Sequence, residues 1–310
     1  HSMQFRQAMQ DSEGSIWFLQ LQGLLFRFNP GTEKLTLYPV PNWMVFHWIK
    51  DSDNSFWFGC ANGNTWRLML NSLPFQTAYV PNMFNVSAVN SPRITQDNDG
   101  TVWLALSTGI YRVGRFDPQS AFNPLKVKLS GSDTVSQCVV KDSKGNLWLS
   151  PGKGRILKID INGAYTSYNI PYNTSDQVFN IVEDKSSNIW IQCLYNIYYL
   201  RAGSVEIEEL QISDESLRKS VLTGIFDIFP DSGGNLWIAT FGNGIFCFLT
   251  DKKTVRHYTS ETPGDLNTGD YCLRVKQDTG GKIWVLFAHN GLYYFDSEGE
   301  KLRKVKVIEN

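Results

Sequence analysis

One local pattern recurs along this chain and leaves few folds open to it. Seven of the ten tryptophans, Trp17, Trp57, Trp103, Trp148, Trp190, Trp237 and Trp284, share a context and are spaced 40, 46, 45, 42, 47 and 47 residues apart. Six positions before each stands an aspartate: Asp11, Asp51, Asp97, Asp142, Asp184, Asp231 and Asp278. Three positions before each is Gly14, Asn54, Gly100, Gly145, Ser187, Gly234 or Gly281. Both neighbours of every one of these tryptophans are apolar, as in Ile16-Trp17-Phe18 and Leu236-Trp237-Ile238. A second turn residue follows, usually glycine with an apolar successor, as in Gly244-Ile245 and Gly291-Leu292; Asn196 takes that place in the fifth unit. A fixed period of this size marks a chain built from stacked, self-similar units.

Each unit has a physical interpretation. A β-rich run such as Val178-Phe179-Asn180-Ile181-Val182 comes first. Asp-x-x-Gly is a tight turn, because aspartate accepts local backbone N–H bonds and glycine tolerates positive φ. The tryptophan strand follows, then the second turn, a third strand such as 291–296, and a fourth such as Lys34-Leu35-Thr36-Leu37-Tyr38. Four short antiparallel strands per unit predict an all-β, seven-bladed β-propeller. A lone blade leaves its faces uncovered, so the tryptophans and their apolar neighbours are expected between blades. The expected domain is a single propeller over residues 4–310, with units beginning near 4, 44, 90, 135, 177, 224 and 271. Closure could come from packing of blade one on blade seven, or from the terminal strand, near Leu302 to Ile308, completing the first blade.

Composition narrows the function classes. The 310 residues are 42% hydrophobic and 14% aromatic, enough for a large core and unlike a disordered chain. With 29 basic against 30 acidic residues there is no footprint for nucleic acid and no polybasic membrane patch. No apolar run is long enough to span a bilayer. Five cysteines, Cys60, Cys138, Cys193, Cys247 and Cys272, form no Cys-x-x-Cys and are expected to be buried, unpaired thiols. His1-Ser2-Met3 reads as an expression scar and is set apart, and the rest as an excised piece of a longer protein.

Asp-x-x-Gly-x-[Ile/Leu]-Trp-[Ile/Leu]-x-x-x-x-x-Gly-Leu resembles the two-component regulator propeller repeat. The stretch Tyr258-Thr259-Ser260-Glu261-Thr262-Pro263-Gly264-Asp265-Leu266-Asn267 is similar to that family's inter-blade linker. The resemblance runs from about Gln4 to Ile308. It implies one propeller from the periplasmic sensor region of a Bacteroidetes-type hybrid two-component system. In such receptors a second propeller, a β-sandwich, a membrane helix, a histidine kinase and a response regulator accompany it, and many respond to oligosaccharides released from complex glycans. Asn54 and Ser187 depart from the turn glycine, and Gly63-Asn64 and Gly154-Arg155 lack the apolar follower.

The repeated tryptophans and aspartates are expected to be scaffold, so function is sought where the repeat breaks. Four positions before each turn aspartate the series is Gln7, His47, Arg93, Cys138, Asn180, Asp227 and Arg274, beside an apolar series one residue later. These polar groups could satisfy one another, with Asp227 and Arg274 as an ion pair. Alternatively they face a ligand, with Arg93 and Arg274 favouring an anionic group. Loops at the same end carry Trp43, Tyr271 and further aromatics, together with Lys153, Tyr195, Phe241, Asn243 and His289. Aromatic faces beside polar groups suit sugar rings, and loops on rigid scaffolds often hold function. His47, His257 and His289 have no metal spacing, Asp97-Asn98-Asp99-Gly100 lacks the last acidic ligand of a calcium loop, and neither a nucleotide nor a hydrolase signature is present. The expectation is a non-catalytic, cofactor-free and metal-free periplasmic sensor domain of an inner-membrane protein. It would bind an oligosaccharide and work against neighbouring propeller and β-sandwich domains or as a homodimer, without touching nucleic acid or membrane itself. The rivals are a protein-interaction platform and a propeller-fold lyase or glycosidase.

Overall fold

A computed structural model describes residues 5–20, 24–39, 45–51, 55–60, 65–69, 93–96, 101–106, 109–113, 125–126, 138–151, 154–171, 177–259, 270–295 and 301–305. The fold is a seven-bladed β-propeller. Each sequence unit forms its own antiparallel sheet whose strands lie side by side in chain order; six show four strands, and three strands of the second are among the described residues. In blade six, for example, the strands are Ile225–Pro230, Leu236–Thr240, Ile245–Leu249 and Thr254–Tyr258. The contacts divide into two compact units. One comprises His1–Asn42, Val182–Ala202 and Glu209–Asn310, the other Trp43–Ile181 and Gly203–Glu208.

The repeat is explained at the Asp-x-x-Gly turn. One carboxylate oxygen of Asp11 accepts the backbone amides of Glu13 and Ser15, and the other accepts the indole N–H of Trp17 at 2.7 Å. The same indole bond, 2.7–2.9 Å, recurs for Asp51–Trp57, Asp142–Trp148, Asp184–Trp190, Asp231–Trp237 and Asp278–Trp284. Asp97 lies outside the described residues. The six-residue spacing is therefore set by chemistry. A buried indole needs an acceptor, and the turn aspartate supplies it while holding the turn closed. A bond to a charged acceptor contributes about 1.5–3 kcal/mol net. Burial alone would raise the Asp142 carboxyl. The Asn146 side chain, the Trp148 indole and the backbone amides of Asn146 and Lys144 outweigh that, and its pKa lies below the ordinary value. Ser187 adopts the positive φ of the glycine it replaces, 61° against 89° for Gly234, so the turn keeps its form with a side chain in an unfavourable region. Asn54 lies outside the described residues.

Three tryptophans of the first unit pack into the following blade. Trp190 joins Ile228, Leu236, Ile238 and Phe248 of blade six. Trp237 joins Val275, Ile283, Val285 and Phe295 of blade seven. Trp284 joins Ala8, Ile16, Phe18, Phe26 and Phe28 of blade one. In the second unit Trp103 packs on Leu147, Leu149, Leu157 and Ile159. The terminal blades thus meet through side chains, and each is built from its own strands: Phe5–Gln10 through Lys34–Pro39, and Cys272–Gln277 through Leu302–Lys304. The last strand does not complete the first blade. A glutamine one position before the aspartate adds a polar clasp. Gln277 binds its own Gly281 carbonyl and accepts the Ser232 amide of blade six at 2.7 Å, and Gln10 does the same with Gly14 and Thr279.

A short helix, Glu215–Val221, was not foreseen. Asp214 caps it by accepting the amides of Ser216 and Leu217, and Val221 is fully buried. Its signal is the cap residue ahead of apolar Leu217 and Val221 at a four-residue spacing.

Candidate functional site

The first strand of a blade carries a feature that alternation alone does not reveal. Register shifts of one residue occur between Phe5 and Gln7, Val45 and His47, Ile225 and Asp227, and Cys272 and Arg274. Each is a β-bulge at the same slot, five positions before the turn aspartate. Ile225 and Ile228 are both buried, as are Cys272 and Val275, although a spacing of three would put them on opposite faces of a regular strand. The extra residue restores the register. In blade six that residue is Phe226, which is left 37% exposed.

Phe226 is not alone. Its ring stacks on Phe241, in the turn between the second and third strands of blade six, with centroids 5.4 Å apart and planes 25° from parallel. Tyr271, at the entry to blade seven, meets Phe241 edge-on at 4.4 Å. His289, in the corresponding turn of blade seven, meets Tyr271 edge-on at 5.8 Å. Phe241 is 52% exposed. Backbone bonds lock the row together. The Ile225 amide donates to the Leu194 carbonyl, Phe241 to Gly224, Gly244 to Asp270, and Ala288 to Tyr271, all at 2.8–2.9 Å.

The sequence-derived candidates are distributed as follows. Phe241, Tyr271 and His289 come together in this aromatic row. Asn243 lies in the same turn, but its side-chain amide donates to the Ser220 carbonyl at 3.0 Å and the Thr223 hydroxyl at 2.7 Å, and its backbone carbonyl accepts from His257 Nε2 at 2.7 Å. It therefore braces the turn. Tyr195 is exposed beside Leu194. Asp227 is buried and accepts the Val275 amide at 3.3 Å. Arg274 donates from Nη1 to the carbonyls of Phe226, 3.3 Å, and Leu273, 2.8 Å. Asn180, in the second unit, accepts the Ile181 amide at 3.0 Å. Trp43 and Lys153 lie outside the described residues, as do the side chains of His47 and Arg93. Phe226 was missed. The signal available was the pair of apolar residues three apart in the strand.

Two buried polar atoms near this row have no hydrogen-bond partner among the described residues: Nδ1 of His289 and Oε1 of Gln192. Gln192, 1% exposed, donates its Nε2 to the Ile225 carbonyl at 2.8 Å, one residue from Phe226. Cys272, beside the row, is fully buried; burial first, then the charge of Asp227, pushes its thiol well up. Burial, with Asp231 adding, pushes Cys247 up to about 12. Neither thiol is set up as a nucleophile. Among the described residues no group of three or more His, Cys, Asp or Glu could hold a metal ion, and no helix is long and apolar enough to cross a membrane.

No protein-family description matches the sequence, and no curated protein matches it. Solved structures do. The virginiamycin B lyase of Staphylococcus aureus superposes with a TM-score of 0.72 at 19% identity, covering 94% of this chain and 94% of the lyase. A structure of YCF48 bound to D1 peptide gives 0.69 at 13% identity, covering 98% and 94%. The extracellular domain of the hybrid two-component system BT3049 of B. thetaiotaomicron gives 0.70 at 18% identity, covering 96% of this chain but 39% of that one. At these identities the likeness is one of fold: this chain is a β-propeller of a kind found both in extracellular domains of Bacteroides two-component systems and in lyases.

Proposed function

We propose that this chain is an extracytoplasmic ligand-sensing propeller of a hybrid two-component signalling protein, periplasmic and attached to the inner membrane through parts outside this sequence. Its ligand is an oligosaccharide from a complex glycan, and the chain itself performs no chemistry. The observation that carries this reading is the partly exposed, backbone-locked row Phe226, Phe241, Tyr271 and His289, on a scaffold whose repeat resembles the two-component regulator propeller. The fold likeness to the BT3049 extracellular domain supports it. A signal requires that ligand bind one arrangement of the receptor better than another. Neighbouring propeller and β-sandwich domains, or a second copy of the chain, are the partners whose packing would differ between the two.

The test is genetic. The reading frame around this sequence is expected to encode a membrane span and a histidine kinase, and deletion of the propeller is expected to abolish the transcriptional response of the source organism to one glycan. A frame with neither element would sink the proposal. The second reading is a lyase, motivated by the superposition on the S. aureus enzyme. Breakdown of virginiamycin B or of any glycan by the purified chain would favour it.

A further inference from the structure

The aromatic row also bears on what kind of sugar it would take, an inference that rests on the sensor reading for the ligand being a glycan. Phe226 and Phe241 present adjoining ring surface to solvent, and Tyr271 fixes the edge of Phe241. A pyranose matches such a surface. Its axial C–H groups form an apolar face, while its equatorial hydroxyls project sideways and need hydrogen-bonding groups at the rim. Two buried polar atoms without partners among the described residues stand on neighbours of this platform: His289 Nδ1, whose ring lies against Tyr271, and Gln192 Oε1, whose amide holds the Ile225 carbonyl. A buried polar atom left unpaired is costly, so such atoms commonly await water or ligand.

Two charged side chains near the row make scaffold contacts. Arg274 directs Nη1 at the carbonyls of Phe226 and Leu273, thereby supporting the bulge that displays Phe226. Asp227 is buried and holds the Val275 amide. An anionic sugar would meet one guanidinium set among two carboxylates, those of Asp227 and Asp270, all three close enough to act on the Cys272 thiol. The platform is also prebuilt. Phe241 donates its amide to the Gly224 carbonyl, and a Cβ on Gly224 would stand 3.1 Å from that of Phe241, at a φ of 155° that only glycine adopts without strain.

We propose that Phe226, Phe241 and Tyr271 form a stacking platform for an uncharged pyranose unit, with His289 Nδ1 and Gln192 Oε1 bonding its hydroxyls. The site is complete within this chain and selects neutral over acidic glycans.

Calorimetry on the purified chain tests this, using maltohexaose, cellohexaose, mannohexaose and galactohexaose as neutral probes and pentagalacturonate as the acidic one. At least one neutral hexasaccharide is expected to bind and pentagalacturonate to bind more weakly. Phe241→Ala should weaken binding about tenfold, equivalent to about 1.4 kcal/mol, and Phe226→Ala should also weaken it. Phe241→Tyr should restore it, and Gly224→Ala should weaken it while every platform side chain remains. Thermal unfolding of each variant separates loss of the site from loss of the fold. Saturation-transfer NMR should show the ring C–H protons of the sugar closest to the protein. The inference is overturned if none of the four neutral sugars binds, if pentagalacturonate binds more tightly, or if the two alanine variants bind as the parent does. Any of these results leaves the sensor reading to its own genetic test.

Discussion

At the Asp-x-x-Gly end, blades six and seven are nearly interchangeable. Asp231 and Asp278 each accept an indole N–H at 2.8 Å, and the turn glycines Gly234 and Gly281 each donate to their aspartate carbonyl at 3.0 Å with φ near 90°. At the opposite end of the same strands the two blades have little in common. Blade six has Phe226, Phe241 and Gly242 where blade seven places Leu273, Ala288 and His289, and of these turns only the next residue, Asn243 or Asn290, is shared. The difference shows how labour is divided within one blade. The turn end carries buried hydrogen bonds that every unit must make to bury its tryptophan. The loop end is held largely by backbone bonds, such as Ile225 to Leu194 and Ala288 to Tyr271, that place little demand on side-chain identity. Side chains there are free to differ, and that freedom is where a ligand preference can be written.

The contrast can be broken most severely at the turn end. Asp231→Ala removes the acceptor of the Trp237 indole and of the Asn235 backbone and side-chain amides. It should cost about 3 kcal/mol, since buried donors are left unpaired, read as a lower urea midpoint. Acid should weaken the same end. The Asp142 carboxyl has a pKa below its unfolded value, so its contribution is present above the ordinary carboxylate range and is lost as pH falls through the depressed folded value. Denaturation midpoints measured down the acid limb should fall less steeply in Asp142→Asn, whose stability at neutral pH is already reduced. Ser187→Gly should have a smaller effect of opposite sign, a gain of about 1 kcal/mol or less, because a non-glycine side chain at positive φ is relieved. The smallest change in stability is expected at the loop end. Phe241→Ala removes a ring that is 52% exposed and should shift unfolding by about 0.5 kcal/mol or less, even though sugar affinity falls. A Phe241→Ala protein as unstable as the Asp231→Ala protein would erase the division of labour.

Much of the scaffold was legible in the residues themselves. The Asp-to-Trp spacing, the turn glycines and the apolar flanks of each tryptophan announced seven sheets, because the same local chemistry has to be repeated wherever the same strand pair is built. The reason for the fixed spacing was only half legible. The aspartate reads as a turn former, while its second oxygen on the indole is a contact that folding creates. The loop end was legible as a set of chemistries. Phe241, Tyr271 and His289 stood out as aromatic and polar residues of the loops, but nothing in their spacing says that their rings touch. Phe226 was hidden because strict alternation assigns it no special place, and nothing in the sequence says that Arg274 directs its Nη1 at two carbonyls.

The sequence by itself determined the repeat, the blade and the number of blades, since each follows from interactions within about ten residues of the chain. The tertiary structure alone decided that the terminal blades meet by packing Trp284 into blade one, and that a bulge turns Phe226 outward onto Phe241. The physical reason is distance along the chain. Those contacts join residues brought together only when separate blades, or separate loops of one blade, are stacked, and no local pattern encodes the meeting.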